Sequence, residues 1–182
     1  MKAYRNTVVL ILMLTSLVYA RKRDPLTAAE TDQLREVAME PQKRLKLYIK
    51  FTEARLEAID QIRGDAKEAQ GRGRKIHDLL EDFTSLIDEI NDNLDTYAGR
   101  PLNKDDAKDF RKGLKEVITA EDRFRARLRT LRHDVEVDPQ TKAESTDFRF
   151  VLADAEEALK SSIDMAREYS QEKSEEKPVD KK

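Results

Sequence analysis

The sequence predicts an all-α fold, namely an antiparallel four-helix bundle with an additional short N-terminal helix. The first observation is composition: 40% of the 182 residues are charged and 6% are aromatic, with five Gly, five Pro and no Cys or Trp. Such a mixture favours helices over strands, which are rich in β-branched and aromatic residues. The second observation is that apolar residues recur at helical spacing in four long segments joined by short connections. Helices joined in this way pack as antiparallel neighbours.

The clearest helical pattern spans residues 76–97. Its apolar residues are Ile76, Leu79, Leu80, Phe83, Leu86, Ile87, Ile90, Leu94 and Tyr97. With successive residues turned by about 100°, all of them fall within an arc of about 120°. At about 1.5 Å per residue this helix is roughly 33 Å long, so several helices of similar length are needed to bury it.

Residues 1–20 have the pattern of a signal peptide. Lys2 and Arg5 give a positive start, residues 8–18 form a short apolar stretch, and small residues precede a cleavage point before Arg21. The apolar stretch is shorter than the about 20 residues that a membrane-spanning helix needs. We therefore expect export, cleavage, and a mature protein that is not integral to a membrane. A retained N-terminal anchor is the alternative.

The absence of cysteine limits both the chemistry and the compartment. It excludes a lipid attached at a cleavage-site cysteine and any disulfide bond. A secreted domain without disulfides fits a bacterial envelope better than a eukaryotic secretory pathway, so we expect a periplasmic or extracellular protein. The net charge of −2 is too small to indicate a nucleic-acid-binding protein.

Two helices are predicted before the central one. Thr27 and Glu30 form a capping-box pattern, which starts a short helix that ends near Met39. Pro41 suits the first turn of a second helix, which runs to about Arg63. The run Leu-Thr-Ala-Ala-Glu that contains this capping box resembles the Leu-Thr-x-x-Gln motif of periplasmic stress chaperones of the Spy type. Glu stands where that motif has Gln, and there is no second copy.

Leu47 and Phe51 lie off the apolar stripe of the second helix, one turn apart. Two large apolar side chains on a second face need cover. We expect the short first helix to fold back over them. The alternative is an exposed patch that binds a partner protein or a second copy of this chain.

Two further long helices are predicted after the central one. The first runs from about Lys104 to Arg132, and Asp138 followed by Pro breaks the chain after it. A second capping-box pattern at Thr141 starts the last helix, which we expect to end near Ser170. Its predicted buried residues are Phe148, Val151, Leu152, Ala155, Leu159, Ser162, Ala166 and Tyr169.

The chain therefore divides into three parts. Residues 1–20 are the expected signal peptide, and residues 21–170 are the helical domain. Residues 171–182 are rich in Glu and Lys and lack apolar residues apart from Val179, so we expect a disordered tail.

The sequence lacks the common patterns of catalytic and cofactor sites. Of the two histidines, His77 and His133, neither belongs to the Glu-x-x-His motif of di-iron bundles. His77 and Glu81 are one helical turn apart, but no third metal ligand is suggested. Covalent c-type haem and a Gly-x-Ser-x-Gly nucleophile are excluded. We expect no enzyme activity, no cofactor and no metal; the weaker alternative is a non-covalent haem held by Met39 or Met165 and a histidine.

Glu121 lies near the centre of the apolar stripe of its helix. If it is buried, its pKa is raised and it becomes a candidate functional group. Alternatively its side chain reaches solvent or pairs with Arg125, one turn further on. We favour the second interpretation, because a single carboxylate does not make a catalytic site.

The same helix carries a run of arginines: Arg123, Arg125, Arg127, Arg129 and Arg132. Three of them, Arg125, Arg129 and Arg132, share one face. They would form a surface for anionic lipid headgroups, a cell-wall polymer or an acidic partner. The favoured alternative is that the arginines pair with the acidic face of residues 78–92 on the neighbouring helix.

These observations lead to three functional hypotheses. The favoured one is an exported, non-enzymatic helical bundle that binds an envelope component or a protein partner. The second is a periplasmic chaperone-like or metal-responsive stress protein, and the third is a redox bundle that carries haem or metal. The candidate partner surface comprises Leu47, Phe51, Arg125, Arg129 and Arg132, with no catalytic residue.

Overall fold

The computed structural model describes residues 23–175, and all regular secondary structure in this range is helical, which confirms the predicted all-α class. The elements are α1 (Ala28–Glu36), α2 (Pro41–Gly64), a 3₁₀ turn (Ala66–Glu68), α3 (Arg72–Ala98), α4 (Lys104–Val137), α5 (Pro139–Glu144) and α6 (Arg149–Glu175). Within residues 23–175, none of the helices has both the length and the apolar composition needed to cross a membrane. The predicted signal peptide, residues 1–20, and residues 176–182 of the predicted tail lie outside the described residues.

The capping box of α1 is confirmed. The Thr27 hydroxyl accepts a hydrogen bond from the Glu30 amide, and the Glu30 carboxylate accepts one from the Thr27 amide. Pro41 stands in the first turn of α2, where its missing N–H leaves no hydrogen bond unmade. Local sequence signals therefore position the first two helices correctly.

The start of the last helix differs from the prediction. The Asp138 side chain accepts hydrogen bonds from the backbone amide and the hydroxyl of Thr141, and this cap starts only the six-residue α5. Pro139 reinforces that start, because its fixed φ suits a first helical turn. α6 begins later, at Arg149, and continues to Glu175, into the segment predicted to be a disordered tail.

The core lies along α3. Eight of the nine apolar residues predicted to face inward are buried, and Leu79 is half-buried. Phe83 of α3 meets Phe124 of α4 edge to face, with ring centroids 5.9 Å apart. Burying a side chain of this kind contributes about 1.5–3 kcal/mol, so the length of the buried stripe makes α3 the main anchor of the fold.

The four long helices pack in a ring of close pairs. α2 lies against α3 and α4, and α6 also lies against α3 and α4. Tyr48 contacts Glu89 and Arg55 contacts Asp82, so α2 and α3 run antiparallel.

The consecutive helices α3 and α4 are not one of these close pairs, so the expectation that consecutive helices are neighbours is wrong for them. They meet across the core instead, while α6 lies beside α3 and runs parallel to it, with Asn91 next to Ser162 and Asp95 next to Tyr169. The five residues 99–103 that join α3 to α4 reach roughly 17 Å. That exceeds the about 14 Å diagonal of four helices spaced about 10 Å apart.

Candidate functional site

Leu47 and Phe51 do not form an exposed patch. Phe51 is only 3% exposed and belongs to the core, and Leu47 is half-buried against that core. α1 packs on α2, and Leu34 of α1 is buried in the same core. The cover of these two side chains by α1 itself stays a prediction. The burial leaves Phe51 inaccessible to a partner in this structure.

The arginine run of α4 is mostly paired. Arg123 and Arg127 reach α2, where they contact Glu53 (3.6 Å) and Asp60 (2.5 Å). The expected pairing with residues 78–92 is wrong, because α3 lies across the core from α4. The acids that neutralise these arginines come from α2, α6 and α4 itself.

The other side of α4, towards α6, carries Arg125, Arg129 and Arg132, the three residues predicted to share a face. Arg125 pairs with Asp122, three residues back. Arg132 binds both carboxylate oxygens of Glu156 on α6, and this hydrogen bonding raises the pKa of its guanidinium. Arg129 is exposed, and no acidic side chain described between residues 23 and 172 lies within ion-pair distance of it. We call Arg125, Arg129 and Arg132 the α4 arginine face.

Glu121 is fully buried beneath the start of this face, at 0% exposure. Its Oε1 lies within hydrogen-bonding distance of the Ser162 hydroxyl of α6, and the same hydroxyl lies 2.5 Å from the side-chain oxygen of Asn91 on α3. The Glu121 Oε2 atom is buried without a hydrogen-bond partner. The favoured interpretation, that Glu121 reaches solvent or pairs with Arg125, is therefore wrong.

The pKa of Glu121 reflects this position. Burial raises it from 4.5 to about 7, against the lowering effect of the Ser162 hydrogen bond. The adjacent Asp122 carboxylate raises it further, while Arg167 and Arg125 lower it slightly. The group is therefore largely neutral at mildly acidic pH, and its sequence signal was the position in the apolar stripe of α4.

A network of charged groups holds the N-terminal segment on α2 and α3. The buried guanidinium of Arg55 donates to both carboxylate oxygens of Glu30 and to the carbonyl of Pro25. It also lies 3.7 Å from Asp82, which accepts a hydrogen bond from Arg23. Sequence reasoning missed Arg55, although it falls at helical spacing within the apolar stripe of α2.

One cluster of metal-ligating groups is present among residues 23–175. His77, Asp78 and Glu81 each offer an atom, and these atoms lie within 4.8 Å of one another. Asp78 is also within ion-pair distance of Arg23 (3.8 Å) and Arg74 (3.4 Å), so a cation would compete with two guanidinium groups. The sequence identified His77 and Glu81 but not Asp78.

The residues considered for haem do not converge. Met39 is 92% exposed at the turn between α1 and α2. Met165 lies on α6 close to Ser162, which contacts Asn91. His77 is 14 residues from Asn91 along α3, roughly 21 Å, and His133 is 12 residues from Glu121, the neighbour of Ser162 on α4, roughly 18 Å.

Comparison with known proteins identifies no relative. The chain matches no protein-family model, no curated protein and no solved structure.

Proposed function

We propose that this protein is an exported, non-enzymatic four-helix bundle that binds an envelope component or a protein partner. The signal-peptide pattern of residues 1–20 supports export to the periplasm or the extracellular space. The ring of packed long helices supports a rigid body that acts through its surface. The binding partner carries negative charge and docks on the α4 arginine face.

The observation that carries this proposal is that the α4 arginine face is exposed and only partly paired with acidic groups. Arg129 is exposed without an acidic neighbour in ion-pair range among the described residues. Arg125 and Arg132 are paired, but their side chains remain 33% and 41% exposed. Ion pairs exposed to solvent contribute only about 0–1 kcal/mol. An anionic partner can therefore replace Asp122 and Glu156 with little loss of folding stability.

Crosslinking in the native envelope tests the proposal. A photo-activated crosslinking residue at exposed Thr130, beside Arg129, should capture a specific partner, and changing Arg125, Arg129 and Arg132 to Glu should abolish the capture. The matched control changes Lys108, Arg111 and Lys112, which are exposed on the same helix, to Glu. This control makes the same change in charge and should retain the partner. If both variants lost capture of the partner equally, the loss would depend on net charge alone, and this result would contradict the proposed site.

A metal-responsive stress protein is the second candidate, and the cluster of His77, Asp78 and Glu81 favours it. It predicts that a divalent cation such as Zn²⁺ raises the melting temperature of the wild type but not of His77→Ala. Its chaperone-like form predicts slower aggregation of an unfolded client. The haem alternative predicts a Soret band after haem is added to the purified protein. A second copy of the chain as the partner predicts a dimer mass in light scattering.

A further inference from the structure

Ser162 offers one hydroxyl proton to two acceptors. Its Oγ atom lies 2.5 Å from the side-chain oxygen of Asn91 and also within hydrogen-bonding distance of Oε1 of Glu121. A serine hydroxyl donates a single hydrogen bond and accepts up to two. Both contacts can be hydrogen bonds only if one proton lies between Oγ and the Asn91 oxygen and a second proton lies between Oγ and Oε1 of Glu121. With the side-chain oxygen of Asn91 facing Oγ, one of those protons has to come from a group other than Ser162.

We infer that Glu121 carries a proton in the folded protein, that its carboxyl group donates to Ser162 while Ser162 donates to Asn91, and that release of this proton loosens the contact between α4 and α6. The unpartnered Oε2 atom agrees with a neutral carboxyl group. In a protein core, a carbonyl oxygen without a hydrogen-bond partner costs far less free energy than an ionised carboxylate oxygen without one. The inference stands whether or not the proposed partner binding is correct.

The charged groups around Glu121 do not neutralise an ionised carboxylate. On its own helix and on α6, Arg125 and Arg167 are both engaged with Asp122, whose negative charge opposes ionisation of Glu121. From α3, the group that reaches Ser162 is Asn91, which is neutral.

The charges of the neighbouring α2 are also engaged. Lys46 pairs with Glu116, and Glu53 lies 3.6 Å from Arg123, so these pairs bracket Glu121 along α4. On α3, Glu89 accepts a hydrogen bond from Tyr48. A Glu121 carboxylate would therefore require water, and half-buried Asn91 is the most exposed of the three residues Glu121, Ser162 and Asn91.

Infrared spectroscopy of the full-length protein tests the protonation directly. Labelling with ¹³C-glutamate separates Glu from Asp bands. At pH about 6, glutamates with ordinary pKa values are ionised, so a protonated Glu carbonyl band reports a carboxyl with a raised pKa. We expect this band in the wild type, its loss with a midpoint near pH 7, and its absence in Glu121→Gln. The matched control Glu157→Gln, at an exposed position of α6, should keep the band.

Hydrogen exchange tests the conformational consequence. If opening of α4 from α6 exposes Glu121, the opening equilibrium should rise about tenfold per pH unit between pH about 5 and about 7, after correction for intrinsic exchange. Glu121→Gln should remove this pH dependence, and Glu157→Gln should retain it. If exchange in the wild type showed no pH dependence beyond that of the intrinsic rate, the inference that proton release from Glu121 loosens the contact between α4 and α6 would be overturned.

Ser162→Ala provides a test that does not require a folded Glu121 variant. Removal of the hydroxyl takes away the acceptor of the Glu121 proton, so the carbonyl band should shift to higher frequency. An ionised Glu121 in the wild type at pH about 6, seen as the absence of any protonated Glu band, would overturn the inference.

Discussion

The backbone of Gly73, in the first turn of α3, lies directly against the carbonyl oxygen of Glu144, the last residue of α5. A Cβ atom at position 73 would come within 2.6 Å of that oxygen and 2.7 Å of a carboxylate oxygen of Asp147. Next to it, the buried Arg72 donates to Glu144 (3.1 Å) and to the carbonyl of Asp65 (2.8 Å). The start of α3 is thus held against the connection between α4 and α6.

Gly73→Ala tests this close approach. In an exposed helix interior the change would stabilise by up to about 1 kcal/mol. Here we expect it to destabilise by about 1–3 kcal/mol, because backbone has to move away from the new methyl group. Urea unfolding followed by circular dichroism measures the difference. The control Gly64→Ala, which meets nothing within 4 Å, should be neutral or slightly stabilising.

Phe51→Ala distinguishes a core residue from a partner-binding residue. Because Phe51 is 3% exposed, truncation should lower the free energy of unfolding by about 3–5 kcal/mol. Phe150→Ala removes the same atoms at a position that is 70% exposed, so its effect should stay within about 0.5 kcal/mol. Equal, small effects of the two changes would mean that Phe51 does not pack in the core.

Glu30→Gln tests the ion pair that holds α1 on α2. Burial alone would raise the pKa of Glu30, but the hydrogen bonds from Arg55 and Thr27 outweigh it and lower the pKa below 4.5. We expect the substitution to destabilise by about 2 kcal/mol at neutral pH, since Arg55 loses its closest acidic partner. Differential scanning calorimetry, with exposed Glu36→Gln on α1 as control, measures the effect.

The ion pair between Glu30 and Arg55 also predicts how the stability of the fold depends on pH. A lowered pKa in the folded state means that stabilisation is complete well above 4.5 and is lost as the pH falls through the folded-state value. The stability difference between wild type and Glu30→Gln should therefore shrink below pH about 4.5. A difference that stays constant down to strongly acidic pH would show that the Glu30 charge is not the source.

The raised pKa of Glu121 predicts the opposite dependence of folding stability on pH. Its pKa rises from 4.5 to about 7 on folding, so the folded state binds the additional proton between these values. Stability relative to Glu121→Gln should therefore be greatest below pH about 4.5 and fall by about 1.4 kcal/mol per pH unit up to about 7. Chemical unfolding at a series of pH values measures this slope. A relative stability that rises over the same interval would contradict burial of a neutral carboxyl group.

Much of the secondary structure and the core followed from local signals. The capping box at Thr27 and the apolar stripe of residues 76–97 depend on residues a few positions apart, and both were confirmed. The predicted start of the last helix was wrong, because Asp138 caps a separate six-residue helix, α5, and α6 begins only at Arg149. Signals that act over one helical turn can be read from the sequence only where no second signal overlaps them.

The candidate sites depended on partners that local signals do not specify. The arginines of α4 were expected to meet α3, but the diagonal connection between these helices places α2 and α6 beside them. Arg55 was missed because its partners, Glu30 and Asp82, lie on α1 and α3. An apolar stripe indicates which side of a helix is buried, but it does not indicate which helix covers it.

The sequence alone determined which segments are helical and which side of each is apolar, because spacing and capping act within a single helix. Only the tertiary structure decided the neighbours of α3 and the protonation of Glu121. The hydrogen bond between Glu121 and Ser162 joins residues 41 positions apart, and burial by two other helices removes the water that would otherwise stabilise the charge. The environment of a buried group is set by the packing of distant segments, which no local pattern encodes.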